Sequence, residues 1–450
     1  MEATKKKFGL FSIILLGMNA IIGSGIFLLP GQAFDILGTS SLFVYLFITL
    51  LAGSMALCFA EVAGLFKSNG GAYIYAKEAF GNFAGFEVGF MKYIVQIIAW
   101  ATMSVGFVTA LSAIVPSVAE GPMRVVTIIL VVGGLSIINI LGLELAKYVN
   151  NIATVGKLVP LVLFIAVGIF FIDGGNFQPV IPEGITAGKF SESAILIFYA
   201  FTGFEAISTA SEDMDNPKKN IPIAIAVSIG CVSLIYFMIQ FVSIGILGTG
   251  LHGTKTPVVD AMASTILGNA GGIIVTAGTL VSIGGINVAS SFLTPRGCLA
   301  LAQRGMLPPI VAKKTEKGTP VAAILITAVL VIPIALLGTF TQLAAISVIS
   351  RFTQYIPTCL SVIAFRRRGM KSTFRIPFGY TIPVLATIVS AWLLLNADGK
   401  KLIIGLGAMI IIAPLYFVMK NYNQKHGYEF KDAESGGKSS MTVCGIPGSN

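Results

Sequence analysis

Charge is what this sequence has least of: 11% of its 450 residues are Asp, Glu, Lys or Arg, against roughly a quarter in a soluble globular chain. With 55% hydrophobic residues and a mean hydropathy of +0.88, so little charge excludes a water-soluble fold and assigns the chain to the bilayer. Histidine is nearly missing too. The two present, His252 and His426, fall in a loop and in the C-terminal tail, too few for the clustered ligands of a metal-based membrane hydrolase or desaturase. No serine or cysteine has a base beside it, so neither an enzyme nor a cofactor is expected. The five cysteines, Cys58, Cys231, Cys298, Cys359 and Cys444, show no paired spacing and read as small apolar fillers. A filter-like repeat or a ring of charges, the mark of a channel, is also missing.

What the chain has in abundance is long apolar runs. They divide into about twelve spans of the length a bilayer requires, centred near residues 24, 52, 104, 132, 160, 203, 233, 285, 328, 353, 387 and 410. Lys5 to Lys7 precede a run too long for a signal core, with no small-residue cleavage site after it, so the first span is expected to be retained. Cationic residues alternate between two sets of loops. One set carries Lys5 to Lys7, Lys67, Lys77, Lys147, Lys218, Lys219, Arg296, Arg304, Lys313, Lys314, Lys317, Arg366 to Arg368, Lys371 and Arg375; the other carries Arg124, Lys189, Lys255, Lys400 and Lys401. The positive-inside rule then places both termini in the cytoplasm of a multi-pass cell-membrane protein. The net charge of +10 follows from orientation and anionic inner-leaflet lipid, with no need of nucleic acid.

Two spans are weakened at their own centres, "NAIIGSGIFLLP" around Gly23 and "FYAFTGFEAISTASED" around Gly203. Each is followed by four more spans, so the chain reads as two five-helix units, residues 9–175 and 188–368. Residues 1–8 lie before them, two accessory helices (376–421) follow, and a Gly- and Ser-rich tail (422–450) is expected to be disordered. Five is odd, so the units have inverted topology. Interrupted helices at matching positions of inverted halves point to a substrate site near the bilayer midplane. In hydrocarbon an unpaired backbone group costs several kcal/mol, so unwinding persists only where protein or a polar ligand satisfies it. The N–H groups that restart the helix at Gly23, Ser24 and Gly25 suit a carboxylate. The carbonyls freed at Ala200 to Gly203 suit an ammonium.

In four stretches the sequence resembles the amino acid–polyamine–organocation (APC) superfamily: "IIGSGIF" in the first span, "FAEVAGLFKSNGGAYIYAKEAFG" from Phe59, "FYAFTGFEAISTASEDMDNPKKNIPIAI" across the sixth and seventh spans, and "FRIPFGY" before the eleventh. The resemblance implies an all-α integral membrane protein with the inverted five-plus-five repeat of the LeuT type, discontinuous helices 1 and 6, and secondary transport of amino acids. It further implies that the backbone of Gly23, Ser24 and Gly25 holds the substrate carboxylate, that the carbonyls of Ile21, Tyr199, Ala200 and Thr202 hold its amino group, and that Tyr199 is an aromatic gate.

Charges inside the spans are expensive and need partners. Lys157, in "NIATVGKLVPL", either snorkels to the interface or reaches the first break near Gly23. Sodium-coupled relatives hold an ion there, and sodium-independent members carry a lysine at this position, so the resemblance implies that sodium is dispensable. Glu205 reads as a cap on broken-helix N–H groups, as a proton-linked gate, or as both. Arg351, in "VISRFTQYIP", must face protein or a water path, with no partner named by the sequence. Glu61 and the run Glu212 to Lys219 are expected in solvated or structural roles on the cytoplasmic side. Val105, Thr109, Ile283 and Asn287 are candidate walls for the substrate side chain. With Tyr199, Phe201 and Phe204 as apolar bulk and no acid besides Glu205 to pair a cationic side chain, the expected substrate is a neutral L-amino acid, carried with protons or against a second amino acid. A sensor on a transporter scaffold and a carrier of cationic amino acids or polyamines are the alternatives.

Overall fold

The computed structural model describes residues 9–66, 71–141, 145–205, 217–316 and 318–425. Among them all regular structure is helical. The first half contains α1 (Leu10–Ile21), α2 (Gly25–Leu28), α3 (Pro30–Leu37), α4 (Ser41–Ala63), α5 (Ala72–Phe80), α6 (Asn82–Leu111), α7 (Gly121–Ile140) and α8 (Leu145–Gly168). The second contains α9 (Ala187–Phe201), α10 (Pro217–Leu247), α11 (Pro257–Ala263), α12 (Gly268–Gln303), α13 (Val321–Leu337) and α14 (Phe340–Arg367), followed by α15 (Thr381–Leu395) and α16 (Gly399–Lys425).

Seven helical stretches are long and apolar enough to cross a membrane, and Leu10–Ile21, Gly156–Phe171, Val321–Leu337 and Thr381–Leu395 are shorter apolar helices. The expected span centres from residue 52 onward fall inside helices, except residue 203, which like residue 24 falls where a helix stops. One boundary differs from the sequence reading. α16 continues through Tyr422 to Lys425, past the expected start of the tail, and residues 426–450 lie outside the described set. Residues 1–8 and 206–216, the latter holding Glu212, Asp213 and Asp215, lie outside it as well.

Local chemistry explains where the helices that build the site begin and end. Ile22 is extended (φ −69°, ψ 108°) and ends α1. α2 restarts at Gly25, and Leu29 N–H to Gly25 O and Ala33 N–H to Leu29 O carry helical bonding across the junction into α3, where Pro30 takes the first position. Pro is tolerated there because that N–H has no intrahelical acceptor in any case. α14 opens on a capping box: Thr339 Oγ1 accepts from Gln342 N–H while the Gln342 side chain accepts from Thr339 N–H. Arg124 donates to the carbonyls of Ala335, Leu336 and Gly338, which end α13.

α8 is set against α12 through small residues. A Cβ on Gly278 would lie 2.3 Å from Pro160, and one on Gly156 would lie 2.6 Å from Val281. Without a hydrophobic force between helices in lipid, such close backbone approach is what holds a pair together. It fixes the rotation of α8, and so the direction of Lys157.

The face carrying most of the cations is tied by a buried ion pair. Glu61 at the end of α4 and Arg366 at the end of α14, each 4% exposed, meet through two bonds, Nε to Oε1 at 2.6 Å and Nη2 to Oε2. The "FRIPFGY" segment wraps this pair: Ile376 N–H donates to Glu61 Oε2 at 2.7 Å, and Arg366 donates to the carbonyls of Ile376 and Gly379. Glu61 is therefore a structural residue, and a buried one rather than solvated. Glu61→Ala strands Arg366 in the interior, and breaking a buried pair this way costs about 3–5 kcal/mol. A marked fall in Tm of the purified protein is expected, with a smaller fall for Glu61→Gln, which keeps an acceptor for Ile376 N–H.

Candidate functional site

The two interrupted segments meet backbone to backbone at the centre of the molecule. A Cβ on Gly203 would lie 2.2 Å from the Ala20 carbonyl oxygen, and one on Gly25 would lie 2.8 Å from Ala200 Cα. Only glycine permits either approach, and Gly203 also holds φ at +110°, a region closed to most L side chains. Thr202, extended at ψ 149°, ends α9, and both its N–H and its Oγ1 bond back to the Tyr199 carbonyl.

The two breaks present opposite faces of backbone chemistry. At the first, no backbone hydrogen bond is donated by Ser24, Gly25 or Ile26 among the described residues. These are the donors that begin the α2–α3 helix, and the positive end of its dipole lies there. On the carbonyl side, Tyr236 of α10, fully buried, donates toward Ile21 O at 3.3 Å and Ala200 O at 3.1 Å, joining the ends of α1 and α9 through one hydroxyl. The carbonyls of Ile21, Tyr199 and Ala200 thus already accept one bond each or more from the protein. Tyr236 was invisible to sequence reasoning, which saw a tyrosine in an apolar run with nothing to mark its partner.

Lys157 projects from α8 into the first break. It is 2% exposed, and its Nζ donates to Asn19 O at 2.6 Å and Ile22 O at 3.0 Å, the carbonyls released where α1 unwinds. This geometry is incompatible with snorkelling, which would carry the ammonium to an interface. The Lys157 amine thus fills the space between two carbonyls at the break.

Above the break, the Ser24 hydroxyl lies 3.2 Å from Met103 Sδ and 3.5 Å from the Tyr199 hydroxyl. The Tyr199 ring stands edge-on to Phe340, with centroids 5.8 Å apart. Phe340 in turn lines a cavity of about 600 Å³ with Leu28, Val105, Val108 and Thr109, rimmed by Glu120, Arg124 and Lys255. Two of the four expected wall residues, Val105 and Thr109, therefore face this cavity. Ile283 and Asn287 are buried, and the Asn287 amide is engaged with Ser104 Oγ, Met103 O and Ile283 O. Phe201 packs edge-on to Tyr236, and Phe204 packs with Phe59, Phe198 and Tyr355, so these two rings support the break from behind.

Below the break, Arg351 finds its partner in Glu205. Nη1 donates to Oε1 at 2.8 Å, while Oε2 accepts from Tyr355 Oη and Gly203 N–H, both at 3.1 Å. Glu205 thus caps the broken helix, one of the two roles expected of it, and ties it to α14. The signal in the sequence was a pair of opposite charges in two apolar spans, but 146 residues separate them.

Comparison with known proteins follows the same lines. A family model described as amino acid permease matches residues 8–419. An uncharacterized transporter of Mycobacterium tuberculosis is 33% identical over 424 residues, covering 87% of this chain and 88% of its own. The serine/threonine exchanger of Bacillus subtilis is 30% identical over 437 residues, covering 92% and 97%, and the branched-chain amino acid permease of the same organism is 26% identical over 448 residues, covering 94% of each. With interrupted helices packed at its centre and a match along almost its whole length, this multi-pass membrane protein belongs to the amino acid permease family.

Proposed function

We propose that the protein is a sodium-independent exchanger of neutral L-amino acids that works by alternating access. The carboxylate sits on the N–H groups around Gly23, Ser24 and Gly25. The ammonium takes the Thr202 carbonyl and the remaining lone pairs of the Ile21 and Ala200 carbonyls, the Tyr199 carbonyl being filled by its two bonds from Thr202. The observation that carries this reading is the facing of unbonded N–H donors and released carbonyls across two helix breaks, a spacing of charge preference that suits a zwitterion.

Lys157 supports independence from sodium, since its ammonium already occupies carbonyls that could otherwise coordinate an ion. A neutral side chain is supported by the surroundings: Glu205 is committed to Arg351, and Gly23 faces Met103 and Ile286. The serine/threonine and branched-chain carriers among the relatives also handle neutral amino acids by their names. Exchange is preferred to proton symport because Glu205, the carboxyl nearest the break, is held by three donors and serves as a latch.

In this reading the cavity above Phe340 is the outer vestibule, both termini are cytoplasmic, and Tyr199 with Phe340 closes the site from outside. Uptake of radiolabelled alanine into proteoliposomes in sodium-free buffer tests it. Accumulation only in vesicles preloaded with neutral amino acid is expected. Accumulation driven by an inward proton gradient without preloading would replace exchange by symport, and a requirement for sodium would overturn the reading of Lys157.

A further inference from the structure

A second cavity, of about 270 Å³, opens between the first half of α6 and the last third of α12, beside Tyr73 of α5. Its walls include Lys92, Arg296 and Arg304, with Tyr73, Gly89 and Gly297 between them, and no carboxylate among the described residues. None of the three cations forms an ion pair among the described residues. Arg296 donates only along its own helix, to Phe292 O at 3.0 Å, and its guanidinium lies over the Phe292 ring. Arg304 lies over the Tyr73 ring, 4.4 Å from its centroid. Gln96 lines the same wall with its carboxamide oxygen buried and unpartnered.

Like charges gathered around one small cavity repel, and in a partly buried setting the repulsion is poorly screened. Two other cations of this face are engaged, Arg366 with Glu61 and Arg368 with the Glu78 and Ala79 carbonyls. Lys92, Arg296 and Arg304 are instead gathered around one cavity whose lining holds no acid. Two glycines widen the cavity. A Cβ on Gly297 would lie 2.4 Å from the Gln96 side chain, and one on Gly89 would lie 2.9 Å from the Tyr73 ring.

We propose that this cavity binds a phosphate group, clamping α6 to α12 at the basic face of the protein. Two guanidiniums and an ammonium match the charge and acceptor geometry of phosphate oxygens. The site lies on the face that carries most of the cations, where anionic lipid headgroups concentrate in the inner leaflet, and basic pockets between membrane helices at that level bind such headgroups. Leu293, 56% exposed one turn before Arg296, provides apolar surface beside the cavity for an acyl chain. A soluble phosphate ester would present the same group from the aqueous side. This inference does not depend on what the protein carries.

The test is the thermal stability of the full-length protein in detergent with added phosphatidylglycerol, phosphatidylcholine or inorganic phosphate. It is run for wild type, for Lys92→Gln/Arg296→Gln/Arg304→Gln, and for Lys313→Gln/Lys314→Gln as a control that removes charge elsewhere. A rise in Tm with phosphatidylglycerol over phosphatidylcholine is expected for wild type and the control, and its loss is expected in the triple variant. The same rise with inorganic phosphate alone would support the site and assign the soluble source. A rise of equal size in the triple variant, or none in wild type, would overturn the proposal. Should the triple variant fail to fold, native mass spectrometry of wild type decides: selective retention of phosphatidylglycerol over equimolar phosphatidylcholine supports the site, and equal retention overturns it.

Discussion

Gly203→Ala is expected to abolish transport and to lower Tm by more than any other single methyl addition in the molecule. Two effects add. The backbone at φ +110° is strained for any residue with a Cβ, at a cost on the order of 1–3 kcal/mol. The methyl would also stand 2.2 Å from the Ala20 carbonyl oxygen, so α1 and α9 must separate where their breaks meet. Separation pulls Ile21 O and Ala200 O away from the single Tyr236 hydroxyl that joins them. Gly53→Ala, in the middle of α4 with nothing within 4 Å of the new atom, is the control. It is expected to leave transport unchanged and to stabilise by up to about 1 kcal/mol. Equal behaviour of the two variants in a melting curve and an exchange assay would remove the two-break contact from the account.

Lys157→Met has the second largest expected effect, and it separates charge from packing, because methionine fills most of the volume. Removing the ammonium leaves Asn19 O and Ile22 O without their donor, in a site that is 2% exposed at the lysine. Stranding a buried acceptor costs about 1–3 kcal/mol, enough to let α1 shift and disturb the N–H groups that follow it. Exchange is expected to fall by roughly 100-fold or more if two such acceptors are lost, at about 1.4 kcal/mol per tenfold. Lys157→Arg is not expected to rescue it, because a planar guanidinium cannot replace a compact ammonium between two carbonyls. Near-normal exchange in Lys157→Met would show that the amine is a bystander.

The breaks themselves were legible because they violate a rule that composition exposes. Gly23, Ser24 and Gly25 in sequence, closed by Pro30, weaken a helix where lipid gives no alternative partner for the backbone. Lys157 was legible for the same reason, since a charge in an apolar run must have acceptors, and an unwound segment is where acceptors are. The pairs were not. Glu205 and Arg351 are each visibly costly, but nothing in either local stretch states that α14 turns its arginine toward the sixth span's break. Glu61 reads as a helix-end acid, and only the fold brings Arg366, 305 residues later, against it. Helix rotation was equally hidden: Val105 and Thr109 face the larger cavity, while Asn287, chosen at the same helical spacing, spends its amide on Ser104 and Met103. Tyr236 carries no signal beyond its identity, because a hydroxyl on a membrane helix is unremarkable until two carbonyls converge on it.

Competition between radiolabelled L-alanine and blocked analogues in sodium-free exchange puts the two-break site itself to the test. N-acetyl-alanine keeps the carboxylate and loses the ammonium; alaninamide keeps the ammonium and loses the carboxylate. Both are expected to compete at least 10-fold more weakly than serine or valine, which keep both groups, because a hydrogen bond to a charged group contributes about 1.5–3 kcal/mol. Competition by either blocked analogue as strong as that of serine would contradict a site that holds its substrate by the backbone of Gly23 to Gly25 on one side and the carbonyls around Ala200 on the other.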